Sequence, residues 1–226
     1  MSSTAAIRVL CTFGLRQVVD LLAPAFELQH GCTVERPYNS SVAHMRRLAE
    51  GETADAALLT AAAIDELIAM GRIERRVDLA HSGIGIAVKA GAPHPDISTP
   101  EKFKAALLAA KSISHSKTGA SGLYFVELIK RLGIADEINA KAVIHDGLTG
   151  EIAARGKAEL AVQQTSELMQ ASGIDIVGPL PGDLQNITIF SGGVFTSAPP
   201  LAEAFIASLS TREAAAVIRS NGMDPV

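Results

Sequence analysis

Four stretches of the chain combine hydroxyls, amides and glycines in a way that suits negative charge. They are Thr12-Phe13-Gly14, Asn39-Ser40-Ser41, the run from His115 through Lys117-Thr118-Gly119-Ala120-Ser121-Gly122, and Gln163-Gln164-Thr165-Ser166. Each follows an apolar β-type run and leads into a helical one. Side chains there supply neutral donors. The first turn of a helix adds backbone N–H groups without helical partners and the positive end of the helix dipole. Together these suit an oxyanion, a carboxylate or a phosphate. Any one stretch also reads as an ordinary N-cap, because Ser, Thr and Asn are preferred there. Recurrence after four strands marks a site, since parallel α/β sheets bind ligands beyond the carboxyl ends of their strands.

The stretch Ser116 to Gly122 is the most informative. Gly119, Ala120 and Gly122 permit close approach to backbone. It lacks the Gly-Lys-Ser/Thr order of a phosphate-binding P-loop, and Gly83-Ile84-Gly85 lies at a strand start, not at the strand-to-helix turn of a dinucleotide site. Lys117 is the cation within these stretches; Arg16 and Arg46 lie one turn into helices and either swing in or face solvent. The six histidines, His30, His44, His81, His94, His115 and His145, form no metal-ligand pattern. No Gly-x-Ser-x-Gly elbow is present, and no Ser/His/Asp set follows from spacing. The sequence calls for no metal and no cofactor.

The elements that must hold these stretches alternate. Strands are expected at Ile7–Cys11, Thr33–Tyr38, Ala56–Leu59, Ile84–Val88, Lys111–Ser114, Ala142–Ile144, Leu160–Gln163 and Ile174–Val177, with helices between them. Leu15, Val18, Val19, Leu22 and Phe26 have helical spacing. Pro24 is expected to kink that helix or split off its last turn, and Gly31 to cap it. Thr99-Pro100 opens another helix, and Ser210-Thr-Arg-Glu213 has capping-box spacing. Near the end, 187–190 and 193–195 are β-type with no helix between. This order predicts an α/β fold with parallel sheets and right-handed crossovers. Two units result, with junctions near Ala80–Gly83 and Phe190–Gly193: residues 1–82 with 192–226, and residues 83–191.

Composition narrows the partners. The 226 residues carry a net charge of −4, with 48% hydrophobic, 19% charged and 4% aromatic residues and no Trp. That excludes a disordered chain. Basic residues occur at most in pairs, so a nucleic-acid surface with a basic stripe and stacking aromatics is not expected. No apolar run reaches the roughly 20 residues of a membrane helix. The N-terminus shows no basic segment followed by a long apolar one, so the chain as it stands reads as cytoplasmic, or periplasmic if a leader has been removed. Cys11 and Cys32 would lie about 13 Å apart on neighbouring strands, too far for a disulfide. Two free thiols that pack in the core are expected.

Several segments resemble molybdate-type periplasmic solute-binding proteins: Ile7-Arg-Val-Leu, Leu15 to Phe26 with its ending Leu22-Ala-Pro-Ala-Phe26, and Tyr38-Asn-Ser-Ser41. Ile134-Ala-Asp after Leu132-Gly133, Gly156-Lys-Ala-Glu-Leu160, and Phe205 to Gly222 resemble the later parts of that family. The resemblance covers nearly the whole chain. It implies a two-lobed type II periplasmic-binding-protein fold, each lobe a mainly parallel sheet flanked by helices. Two hinge crossings would join the lobes, and a small anion would sit in the cleft. It assigns ligand contacts to Thr12, Phe13, Gly14, Ser40, Ser41, Thr118, Gly119, Ala120, Ser121, Gly122 and Gln163, and Asn39, Lys117 and Gln164 beside them complete the candidate ligand-binding set. Gln163-Gln164 stands where such proteins often carry a tyrosine, Phe13 replaces a small residue, and Lys117 adds a charge. These departures favour an organic carboxylate over molybdate. If the chain is exported, the resemblance implies a membrane transporter as partner. A related branch is similar to aconitate isomerase, which moves a proton along an allylic tricarboxylate and needs an acid/base. His115, Ser121 and Thr12 are the candidates for that role. A ligand-sensing effector domain shares the fold, but no helix-turn-helix segment precedes Ile7.

Overall fold

Strand β1 (Ala5–Thr12) sends Ile7, Val9 and Cys11 into one apolar cluster and Leu10 into another. That is the two-residue alternation of a strand covered on both faces. The structure is a computed structural model and describes residues 5–226. After β1 a 3-10 turn (Phe13–Leu15) leads into α1 (Arg16–His30), followed by β2 (Cys32–Glu35), β3 (Tyr38–Asn39), α2 (Ser41–Ala49), β4 (Ala56–Thr60), α3 (Ala61–Ala69), β5 (Val77–Ser82) and β6 (Ile84–Lys89). The middle supplies α4 (Pro100–Ala109), β7 (Ile113–Ser116), α5 (Ala120–Arg131), α6 (Ala135–Asn139), β8 (Ala142–His145) and α7 (Thr149–Ala154). Then come β9 (Leu160–Gln164), α8 (Thr165–Leu168), β10 (Ile174–Pro179), β11 (Thr188–Val194), α9 (Pro200–Ser208), α10 (Arg212–Ser220) and β12 (Asp224–Pro225).

The described chain divides into two units. One runs to His81 and resumes over Thr188–Val226; the other is Ser82–Ile187. The first unit holds a seven-stranded sheet ordered β12-β5-β11-β4-β1-β2, with β3 also beside β1. Strand β1 runs parallel to β2, β3 and β4, while β11 joins β4 antiparallel. Ala56 and Leu58 of β4 face the cluster under α1 and α9, and Ala57 and Leu59 face the one under α2 and α3. The second unit holds a five-stranded sheet ordered β10-β6-β9-β7-β8. There β7 is parallel to β8 and β9, and β6 is antiparallel to β9 and β10. Ile84, Ile86, Leu160 and Val162 pack with Phe103 and Phe125 on one face. Ala87 and Ala161 leave room for Ala153 and Leu168 on the other.

The α/β architecture with two sheets flanked by helices agrees with the sequence expectation; several details do not. The sheets are mixed, not mainly parallel throughout, because the direction in which a strand joins leaves no mark in a short apolar run. Helix α1 continues through Pro24 to His30. Pro24 is exposed, so the Asp20 carbonyl that loses its N–H partner faces water, while Ala23 and Phe26 stay buried in the core. The expected strand 33–38 breaks after Glu35, with Pro37 preceding β3. Strand β5 was absent from the sequence reading. The two β-type runs near the end are one strand, β11. Its Gly193 marks a close approach: a Cβ there would sit 2.8 Å from Ile73 Cγ2. Thr211, not Ser210, caps α10, its hydroxyl accepting Ala214 N–H at 3.2 Å. Gly31 caps α1 at φ 60° and Thr99 caps α4, as expected. Both cysteines are free and buried. Cys32 pairs with Ala5, so Cys11 lies six residues further along β1, about 20 Å away.

Candidate functional site

In the first unit the carboxyl ends of β3, β1 and β4 lie side by side. Thr12 pairs with Asn39, and Cys11 with both Tyr38 and Leu58. Asn39 Oδ1 accepts the Ser40 N–H at 2.9 Å, and Ser40 Oγ accepts Ala43 N–H at 3.2 Å as the cap of α2. Ser41 Oγ accepts Thr60 N–H at 3.0 Å, which ties the start of α2 to the end of β4. Thr60 in turn stands before α3 with no side-chain capping bond. Thr12, Ser40 and Ser41 are buried. Gly14 has a packing reason as well as its N–H: a Cβ would lie 2.3 Å from Phe190 Cζ, so only glycine brings this turn onto β11. Phe13 is half-buried in the same turn. His44 Nε2 donates to the Cys11 carbonyl at 3.1 Å. Burial holds its pKa below the ordinary histidine value, so the ring is neutral. The edge therefore presents hydroxyls and helix starts without a formal charge. Arg16 lies beside it with Asp20 at 3.7 Å and its guanidinium 5.4 Å from the Tyr38 ring centre.

In the second unit β7, β8 and β9 end on one edge, with Ser116 opposite His145 and His115 opposite Val162. Ser116 Oγ accepts Gly119 N–H at 2.8 Å. A Cβ on Gly122 would fall 1.9 Å from the Ser116 carbonyl oxygen, so glycine is required where α5 meets β7. Ser121 is fully buried, and its hydroxyl has no partner among the described residues. Lys117 is exposed and its backbone N–H donates to the His145 carbonyl at 3.2 Å. Thr118 Oγ1 donates to Asp146 Oδ1 at 3.4 Å. Ala120 is the first residue of α5. His115 Nδ1 lies 3.1 Å from the Ser116 carbonyl. A carbonyl only accepts, so Nδ1 carries the hydrogen and Nε2 the lone pair. That Nε2 is buried without a partner, and burial lowers the ring's pKa.

Gln163 does more internal work than its sequence position suggests. Its Oε1 accepts from Thr149 N–H at 2.7 Å and from Thr149 Oγ1 at 2.9 Å, and its Nε2 donates to the Gly147 carbonyl at 2.9 Å. It braces the turn that joins β8 to α7. Gln164 is buried at the start of α8.

Sequence reasoning missed four participants. Thr60 follows a strand and precedes a helix, the same signal used elsewhere. The turn 146–149 after β8 carries that signal too, in Asp146-Gly147. His44 and Glu167 sit mid-helix, where nothing in the sequence marks burial. Glu167 is only 6% exposed. Burial pushes its carboxyl up to about 7, against hydrogen bonds from the Gln163 side chain and the Gln164 backbone that hold it down. Its Oε2 has no partner among the described residues. No three His, Cys, Asp or Glu side chains among the described residues are grouped to hold a metal ion. No described helix is long and apolar enough to cross a membrane.

Two lobes, each a mixed sheet flanked by helices, define a periplasmic-binding-protein fold of the solute-binding class. It is shared with the periplasmic molybdate-binding protein of Azotobacter vinelandii at a TM-score of 0.79 and 19% identity, over 96% of this chain and 98% of that one. The sulfate-binding protein of Mycobacterium tuberculosis matches at a TM-score of 0.73 and 17% identity, over 98% of this chain and 87% of that one. The chain belongs to the bacterial extracellular solute-binding protein family, whose pattern matches residues 7–224. An aconitate isomerase from a Pseudomonas species is 36% identical to it, over 97% of this chain and 88% of the relative.

Proposed function

We propose that this protein binds a small anion, an oxyanion or a di- or tricarboxylate, through donors at the carboxyl edges of its sheets. The first unit's edge carries the reading. Thr12, Ser40 and Ser41 end or follow neighbouring strands, and Ser41 accepts a backbone N–H from behind, which leaves its own proton to give. Relatives named for molybdate and sulfate support an anion. Lys117 adds a cation that favours a carboxylate, and a transporter is the partner of an exported chain. Calorimetric titration with molybdate, tungstate, sulfate, phosphate, citrate and cis-aconitate tests this. Saturable binding of at least one is expected, and none by any of them defeats the proposal.

A second reading is favoured by the relative that is 36% identical and named aconitate isomerase. On the same scaffold, an unsaturated tricarboxylate would be held by its carboxylates while a proton moves between two of its carbons. Proton NMR of cis- and trans-aconitate with the protein tests it. Absence of interconversion at high protein concentration removes it.

A further inference from the structure

We propose that the Glu167 carboxyl is the group that takes the proton from one carbon of the bound tricarboxylate and returns it to the other. The inference rests on the isomerase reading and names its proton carrier. Helix α8 begins where β9 ends, beside β7 and the Ser116–Gly122 stretch. Glu167 lies three residues after Gln164, the cap, and its carboxyl accepts from the Gln164 N–H and the Gln163 amide. Gln163 is itself pinned to Thr149 and Gly147, so the carboxyl is held from one side by a fixed amide. Closing a capping box engages one oxygen of such a glutamate with the cap's N–H. Here the second oxygen, Oε2, is dry and has no partner among the described residues. That arrangement is costly for a mere cap and suits a base that acts on carbon. Helix α8 packs chiefly on β6, β9 and α7. The titratable side chains on those elements are Lys89, at the far end of β6, and Glu151, paired with Arg155 on the exposed flank of α7. No charged group is among those that set the Glu167 pKa. A carboxyl that titrates near neutrality matches a proton transfer run in both directions.

The step balances without a co-reactant. The carboxylate removes a proton from the methylene next to the double bond, and the C–H electron pair becomes the new C=C. The old π pair takes the proton back from the carboxylic acid at its far carbon. The carboxylate is regenerated.

The test compares wild type, E167Q and E167D. Interconversion of cis- and trans-aconitate is followed by NMR across pH 5–9, and binding is measured with citrate, a saturated tricarboxylate that cannot be isomerised. Wild-type kcat/KM is expected to rise with pH through an inflection near 7. E167Q should lose at least ~100-fold in kcat with a citrate Kd within about threefold of wild type, and E167D should keep partial activity with a displaced inflection. An E167Q kcat within about threefold of wild type overturns the proposal while leaving the isomerase reading intact. A wild type that binds citrate and interconverts nothing overturns both. Should E167Q not fold, E167D decides: unaltered kcat and inflection overturn the assignment, and a displaced inflection supports it.

Discussion

Ser41→Ala separates a structural role from a binding one. The hydroxyl accepts Thr60 N–H at 3.0 Å in a part-buried setting. Alanine leaves that N–H without its partner, at a cost of about 1 kcal/mol, the low end of the range because water reaches the region. For a chain of this size that lowers Tm by roughly 2–4 °C. The second effect is on the anion. Losing one hydroxyl donor to a charged group costs about 1.5–3 kcal/mol, a fall in affinity of roughly 10- to 150-fold. Differential scanning calorimetry reads the first effect and isothermal titration with the tightest-binding anion reads the second. A lowered Tm with unchanged affinity refutes the argument, since the hydroxyl would then serve only to join α2 to β4. An affinity loss without a Tm change would show that Thr60 N–H never depended on Ser41.

Gly122→Ala should be severe, because its Cβ would lie 1.9 Å from a backbone oxygen that cannot rotate away. A loss of about 3 kcal/mol or more and abolished anion binding are expected; wild-type melting and affinity would contradict the packing. Gln163→Leu removes the partner of Thr149 N–H and of the Gly147 carbonyl, for a loss of about 2–4 kcal/mol seen as a lower denaturant midpoint. A midpoint within error of wild type would show that the turn 146–149 holds without it. Two kinds of buried group give stability opposite dependences on pH below neutrality. His44 and His115 have folded pKa values below the ordinary one, so their contribution is present above about pH 6.5 and is lost as pH drops below it. Glu167 is raised from 4.5 to about 7, so its contribution is fully present below about pH 4.5 and is lost as pH rises from there through 7, up to about 3 kcal/mol in all. Urea midpoints of wild type and E167Q at about pH 4.5, 6 and 7.5 separate it from the histidines, which titrate in both proteins. E167Q should gain on wild type as pH rises over that window, and a difference that stays constant with pH would refute the assignment.

The strands and helices were legible where apolar spacing and capping residues agree. Thr99-Pro100 and Gly31 did what their chemistry requires, and β4 was readable because both its faces are apolar. What escaped was long-range. Strand β5 carries Asp78 and His81, which break an apolar pattern, yet Asp78 accepts from Ser191 of β11 at 2.7 Å, a partner 113 residues away. The glycines of β11 looked like an interruption and are places where Ile73 and Ile206 come close. At the candidate site, residue type pointed to hydroxyls and glycines that gather at strand ends, but it could not tell a donor that faces outward from one that is spent inward. Gln163 is the clearest case, since its bonds to Thr149 and Gly147 appear only once β8 and α7 are in place.

That distinction bears on what kind of anion fits. Ser116 accepts an N–H from the helix turn it caps, and Ser41 accepts one from the neighbouring strand end. An oxygen engaged this way on its lone pairs keeps its hydrogen for another acceptor. Repeated over both sheet edges, the pattern orients hydroxyl dipoles with their positive ends away from the helices and adds to the helix dipoles, not against them. A ligand that must donate a proton finds few acceptors among such groups, whereas a fully ionised one finds only donors. Asp146 on the second unit's edge is exposed and accepts from Thr118, whereas Glu167 is a carboxyl buried there. An anion binder gains nothing from a carboxylate placed there, because like charges repel. A protein that must also move a proton does gain from it, and the presence of that buried acidic group is the strongest structural reason to look for turnover as well as binding.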